Sequence, residues 1–209
     1  MVKQERAACT RRTVVQAAAA EFDRGGYDGT SLQRICRAAG ISTGALTFHF
    51  PTKDKIARAV EELGRELTRA ETERTVAVPA SPLRRARALV LAIARLLEKE
   101  TAVRAAARLS RELPGGADWA QTWLPELRGL LHQAYAEGQL RAAADPKTVT
   151  LLAAYLVAGV DAHLQRRARA GAPEARASQE PAGGGDPGPV EQLARVWDLV
   201  LYGVSPAGP

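Results

Sequence analysis

The sequence predicts an all-α protein of about nine helices, and three observations carry that expectation. Aromatic residues make up only 5% of the 209 residues, and no stretch alternates apolar and polar positions as a half-buried strand would. Apolar side chains recur instead at three- and four-residue intervals, as in Val14, Ala18 and Phe22, or Leu32, Ile35, Cys36 and Ala39. The runs are separated by helix-ending signals such as Gly25-Gly26, Gly40, Gly138 and Asp145-Pro146.

Taken in order, the first helix ends at Gly25-Gly26. Thr30 and Gln33 have the spacing of a capping box that opens the second, and Gly40 closes it. A short segment over 42–48 follows. Pro51-Thr52 then opens a long helix to about residue 76, with Thr52 as N-cap. Pro79 and Pro82 break the chain, and Ser81 can cap a helix over 83–98. That helix is apolar round most of its circumference and is expected at the centre of the body. Residues 103–113 continue helically to Pro114-Gly115-Gly116. Residues 119–137 read as one helix closed by Gly138 at C′. Asp145 as N-cap and Pro146 at the first helical position open the next, to about residue 169. Residues 171–189 hold five Gly and four Pro and read as a flexible insert. A last helix carries Val190, Leu193, Ala194, Trp197, Val200 and Leu201 on one stripe and stops near Gly203.

Hydrophobic residues at 46% and charged residues at 25% suit a globular chain with a buried core. The longest apolar run, about 149–160, is shorter than the roughly 18 residues of a membrane span and reads as a buried helix. The opening residues are charged, so no secretory leader is expected. Cys9 and Cys36 are too few for a disulfide scaffold. A reduced, cytoplasmic protein without a membrane partner follows.

The net charge of +6 is uneven. Residues 1–60 hold ten Lys/Arg against five Asp/Glu, a net +5, which leaves +1 for the other 149. A basic head on a nearly neutral body suits a polyanionic partner. A solvated basic face would explain the charge alone equally well.

The head has the arrangement of a helix-turn-helix: helix two, a turn at Gly40-Ile41-Ser42, and a short third helix. Leu32, Ile35 and Ala39 would face inward, Ile41 would plug the turn, and Ala45, Leu46 and Phe48 would pack beneath. Ser42, Thr43, Gly44, Thr47 and His49 would remain outward, small or polar enough to enter the major groove. Thr30, Ser31 and Gln33 at a helix N-terminus suit phosphate oxygens. Lys53 and Lys55, with Arg6, Arg11 and Arg12 ahead of the first helix, would neutralise backbone charge.

The runs 22-FDRGGYDGTSL-32 and 39-AGISTGALTFHFPTK-53 resemble the head of TetR-family repressors. The opening VKQERA and the GALxFHF form are similar to the γ-butyrolactone receptor branch of actinomycete regulators. Thr47 stands where that branch usually has tyrosine or histidine. The resemblance implies a DNA-binding domain at 1–50 and a ligand-binding, dimerisation domain at 51–209. It continues weakly through Arg104 to Ser110, Trp123, and Glu137 to Leu140.

On helical spacing alone, Trp123 among Leu124, Leu127, Leu130 and Leu131 is a core residue. The resemblance makes it a wall of an apolar effector pocket. Trp119, Gln121, Thr122, Tyr155 and His163 are further candidates for that site. The apolar faces at Leu151, Leu152, Tyr155, Leu156 and Val160 and along the Trp197 stripe would pair two subunits as a four-helix bundle, as the resemblance implies, though burial within one chain would also explain them. An operator with two half-sites suits such a dimer.

No enzyme is expected. His49, His132 and His163 have no metal-ligand spacing, there is no GxSxG elbow or phosphate-cradling loop, and no cofactor or metal is implied. Within the branch, receptors for γ-butyrolactones tend to be acidic and antibiotic-responsive pseudo-receptors basic. A pI near 9.7 leans toward the latter and toward control of antibiotic biosynthesis. The alternatives are a true γ-butyrolactone receptor, a constitutive DNA-binding dimer, and a dimer that recruits a protein through its insert.

Overall fold

A computed structural model describes residues 2–115, 118–170 and 187–205. Among them it holds nine α-helices: α1 (Val2–Gly25), α2 (Leu32–Ala39), α3 (Thr43–His49), α4 (Lys53–Val76), α5 (Pro82–Lys99), α6 (Thr101–Glu112), α7 (Leu124–Ala136), α8 (Pro146–Ala170) and α9 (Pro189–Val204). A 3-10 turn, Trp119–Thr122, precedes α7. The predicted all-α class is the observed one. The insert expected at 171–189 lies outside the described residues as far as 186, and its end is already ordered as Gly188, the N-cap of α9, and Pro189, that helix's first residue.

The chain divides into two compact units, Met1–Leu67 with Glu100–Trp119, and Thr68–Lys99 with Ala120–Pro209. The first is larger than the 1–50 head drawn from sequence, because its core recruits the start of α4 and all of α6. Val14, Ala18 and Phe22 of α1 join Ile35 of α2, Leu46 of α3, Ile56 and Val60 of α4, and Ala105 and Leu109 of α6. Each large apolar side chain buried here contributes about 1.5–3 kcal/mol.

Local chemistry sets the ends of α2 and α3. The Ser31 hydroxyl accepts the Arg34 N–H at 3.2 Å and caps α2. Gly40 ends that helix in the left-handed region (φ 66°), which glycine adopts without strain, and its N–H returns to the carbonyls of Arg37 and Cys36. Two residues later the Ser42 hydroxyl accepts the Ala45 N–H at 3.2 Å and starts α3.

Three sequence readings are corrected in this unit. Ser31, not Thr30, caps α2: Thr30 is buried and its hydroxyl donates to the Glu21 carbonyl at 3.0 Å. Phe48 does not pack beneath α3 but is 82% exposed, and Phe50, in extended backbone past the helix end, fills the core at 2%. Arg6, Arg11 and Arg12 lie on α1 rather than ahead of it, since nothing from Val2 onward breaks the helix.

Within the second unit α5 packs on α7, α8 and α9. Leu89, Val90, Leu91, Ile93 and Leu97 of α5 are all buried, as its all-round apolar sequence predicts. Two readings are corrected here. Residues 119–137 are not one helix: Trp123 leaves helical geometry (φ −130°) and serves as N-cap of α7, with Pro125 in the first turn, where a missing N–H costs nothing. Nor is α8 buried all round. Val149, Ala153, Val157 and Val160 face inward, whereas Leu151, Leu152 and Tyr155 are exposed.

Candidate functional site

In the first unit, α2, the Gly40 turn and α3 form a helix-turn-helix held from below by Ile35 and Leu46. Ser42, Thr43, Gly44 and Thr47 are exposed on α3, and His49 is half-buried. The Ser42 hydroxyl is committed to its cap, and the Thr47 hydroxyl donates to the carbonyls of Thr43 and Gly44 at 3.1 Å. Ser31 and Gln33 are exposed at the start of α2. Thr30 is not available there, because its side chain is part of the core.

Lys53 is tied into the unit. Its Nζ donates to the carbonyls of Tyr27 at 3.0 Å and Thr30 at 3.2 Å, and lies 4.0 Å from the centre of the Tyr27 ring. Two of three ammonium donors are thus spent holding the α1–α2 turn. The Tyr27 hydroxyl donates to the Asp54 carboxylate. Burial, and then that hydrogen bond, push the Tyr27 phenol up to about 12. Arg11 stacks on Phe50 at 4.9 Å, and Arg12 and Lys55 are exposed.

Two arginines of α6 fasten the C-terminal end of α1. Arg104 pairs with Asp23 at 2.8 Å. Arg108 donates to the carbonyls of Asp23 at 2.9 Å and Arg24 at 3.3 Å, which have no further helical N–H to accept. The Arg108 Nε also holds Glu112 at 2.7 Å, and Glu112 accepts the Tyr27 N–H at 2.6 Å. The motif at 104–110 pointed to the family, but its role in holding α1 depends on contacts more than eighty residues apart and could not be read from spacing.

The residues predicted for an effector site differ in exposure and in the unit that holds them. Trp123 is buried in the second unit at 1% exposure, Thr122 is half-buried and Gln121 is exposed. Trp119 is buried in the first unit. Tyr155 is 66% exposed and borders an α8–α9 surface groove with Leu156, Gly159, His163 and Val196. Sequence reading passed over Thr68, Thr72 and Thr75, a buried hydroxyl stripe on the second half of α4. Thr72 donates to the Thr68 carbonyl at 2.8 Å, while the Thr75 hydroxyl has no hydrogen-bond partner among the described residues. Their spacing of four and three on a highly charged helix was the available signal.

Residues 14–60 match the family model of bacterial regulatory proteins, tetR family. The A-factor receptor protein of Streptomyces griseus is 33% identical over 149 residues, 70% of this chain and 51% of that protein. Residues 14–60 are a tetR-family domain. The chain spans about half the length of the curated relatives it matches. A crystal structure of a γ-butyrolactone receptor, an ArpA-like protein, superposes with a TM-score of 0.74 at 26% identity, covering 97% of this chain and 91% of that one. The TetR family protein CprB of Streptomyces coelicolor, solved in complex with its biological operator sequence, gives 0.73 at 25% identity over the same shares.

Proposed function

We propose that this protein is a homodimeric TetR-type transcriptional repressor that binds a pseudo-palindromic DNA operator and is released by a small apolar effector. The observation that carries the proposal is α3: a short helix, rigidly capped, with Thr43, Gly44, Thr47 and Phe48 exposed on a unit whose first 60 residues carry +5. The similarity to a protein solved with its operator supports the same reading.

Ser31, Gln33, Ser42, Thr43, Gly44, Thr47 and His49 are the proposed DNA-facing positions. Lys53 would act mainly by shaping the α1–α2 turn, and it keeps one donor and its charge for a phosphate. A second copy would cover Leu151, Leu152 and Tyr155 of α8 and Val196, Leu199 and Tyr202 of α9, all exposed in one chain. Among the described residues, Pro146–Ala168 of α8 is, by length and composition only, long and apolar enough to cross a membrane, with a mean hydropathy of 1.2, which the shorter run read from sequence did not suggest. Burial in a helical dimer interface suits it, in keeping with a cytoplasmic regulator.

The effector would meet Trp123 and Thr122 in a mostly apolar site. It must bind the non-docking geometry better than the docking one, or it shifts nothing. The basic pI of 9.7 favours a pseudo-receptor that answers to an antibiotic and controls its biosynthesis, over a receptor for a γ-butyrolactone.

The test is a mobility shift on the promoter adjoining the protein's own gene, titrated with γ-butyrolactones and separately with the host's antibiotics. Release by an antibiotic alone is the expected result. Release by a butyrolactone would make the protein a true receptor, a saturable shift that no effector releases would leave a constitutive DNA binder, and no shift would end the DNA reading.

A further inference from the structure

Phe48 sits where a core residue was expected and is 82% exposed, while Leu46 and Phe50 on either side are at 0% and 2%. Its ring meets the half-buried His49 edge-on, centroids 5.2 Å apart and planes at 82°. One turn earlier on the same face is Gly44, with open space where a side chain would stand, and Thr43 and Thr47 are short. The phenyl ring therefore projects beyond the α3 face that carries the exposed polar residues.

A phenyl ring has no donor or acceptor, so it cannot pair with a phosphate oxygen or with the hydrogen-bonding edge of a base. The apolar group on the major-groove edge is the C5-methyl of thymine. A lone exposed aromatic is also too small a patch to hold a protein partner. The surrounding charge of +5 favours DNA as the occupant. We infer that Phe48 reads thymine C5-methyl groups in the operator, which adds an apolar specificity element to α3. The inference rests on the DNA-binding reading above and names what one side chain selects within it.

The experiment begins by selecting duplexes from a random pool with the full-length protein. Each thymine of the selected sequence is then replaced by deoxyuridine, which removes the methyl group alone. Affinities are measured for the wild type, Phe48→Ala and Phe48→Leu, with circular dichroism checking that each variant is folded. At one or two thymines per half-site the wild type should lose about three- to tenfold in affinity on deoxyuridine. Phe48→Ala should show a comparable loss on the thymine operator and be indifferent to deoxyuridine at those positions. Phe48→Leu, still apolar, should retain part of the methyl dependence. Binding to unrelated DNA should not change in any of them.

Full operator affinity in Phe48→Ala would overturn the inference. So would an undiminished deoxyuridine effect in that variant, or an equal loss on unrelated DNA. Failure of the wild type to select any sequence is a distinct outcome, which removes the repressor reading and this one with it.

Discussion

The two compact units handle large apolar side chains in opposite ways. Among the described residues, the first leaves Phe48 as its exposed large apolar side chain, whereas the second exposes Val78, Tyr135, Leu151, Leu152, Tyr155, Val196, Leu199 and Tyr202. Six of those eight lie on α8 and α9. The difference fits two kinds of association. Apolar area buried against a second copy holds largely independently of salt. On the proposed function, a head that must leave its DNA on demand does better with charge and small polar groups, whose attraction salt and competing ions tune.

The sharpest way to break the comparison is a charge on the body's exposed face. Leu199→Arg should leave the 22.3 kDa chain folded but monomeric in sedimentation at micromolar concentration. Operator affinity should fall by about 100-fold or more, because half-sites are then bound singly. A variant that remains dimeric would move the interface elsewhere.

Next in size is Arg108→Ala, which leaves the buried Asp23 carbonyl and the part-buried Arg24 carbonyl without this donor, and Glu112 with the Tyr27 N–H but not the guanidinium. A loss of about 3 kcal/mol in denaturant unfolding is expected. A loss below 1 kcal/mol would mean that water replaces the guanidinium.

Gly64→Ala probes packing in the same unit. Its methyl would run into the Ala106 Cβ and lie 2.7 Å from the Ala102 carbonyl oxygen. About 1–3 kcal/mol of destabilisation follows if α4 and α6 are held at this spacing, and none if they can move apart.

The smallest effect belongs to Arg87–Asp198, an exposed pair on α5 and α9 worth under about 1 kcal/mol. The hydrogen bond from Arg87 lowers the Asp198 pKa, so its contribution is present above the ordinary aspartate range and fades as pH falls through the lowered value. Arg87→Ala should flatten that acid limb slightly, and an unchanged profile would show that the pair contributes nothing.

What the sequence revealed follows the range of the interactions. The helix ends at Gly26, Gly40, Gly138 and Asp145 were legible because each depends on neighbours within four residues. Thr30 was misread because two adjacent hydroxyls compete for one cap, and the contact that decides, to the Glu21 carbonyl, comes from another helix. Phe48 was misplaced because α3 is too short to fix its own phase, and extended backbone lets Phe50 take the core position. The break at Trp123 was legible in Pro125 but was overridden by an unbroken apolar period. The exposed leucines of α8 could not be told from buried ones, since periodicity marks an apolar face without saying what covers it.

On the proposed function, the attachment of α6 to the end of α1 bears on how such regulators can be recombined. Residues 1–67 cut out alone would lose Ala102, Ala105 and Leu109 from their core, together with both arginines that fasten α1. A chimera that grafts this reading head onto another sensor would have to bring α6 along, or redesign the surface it leaves bare. If α3 reads DNA as proposed, specificity is therefore better exchanged by substitutions on α3 than by transplanting the N-terminal third of the chain.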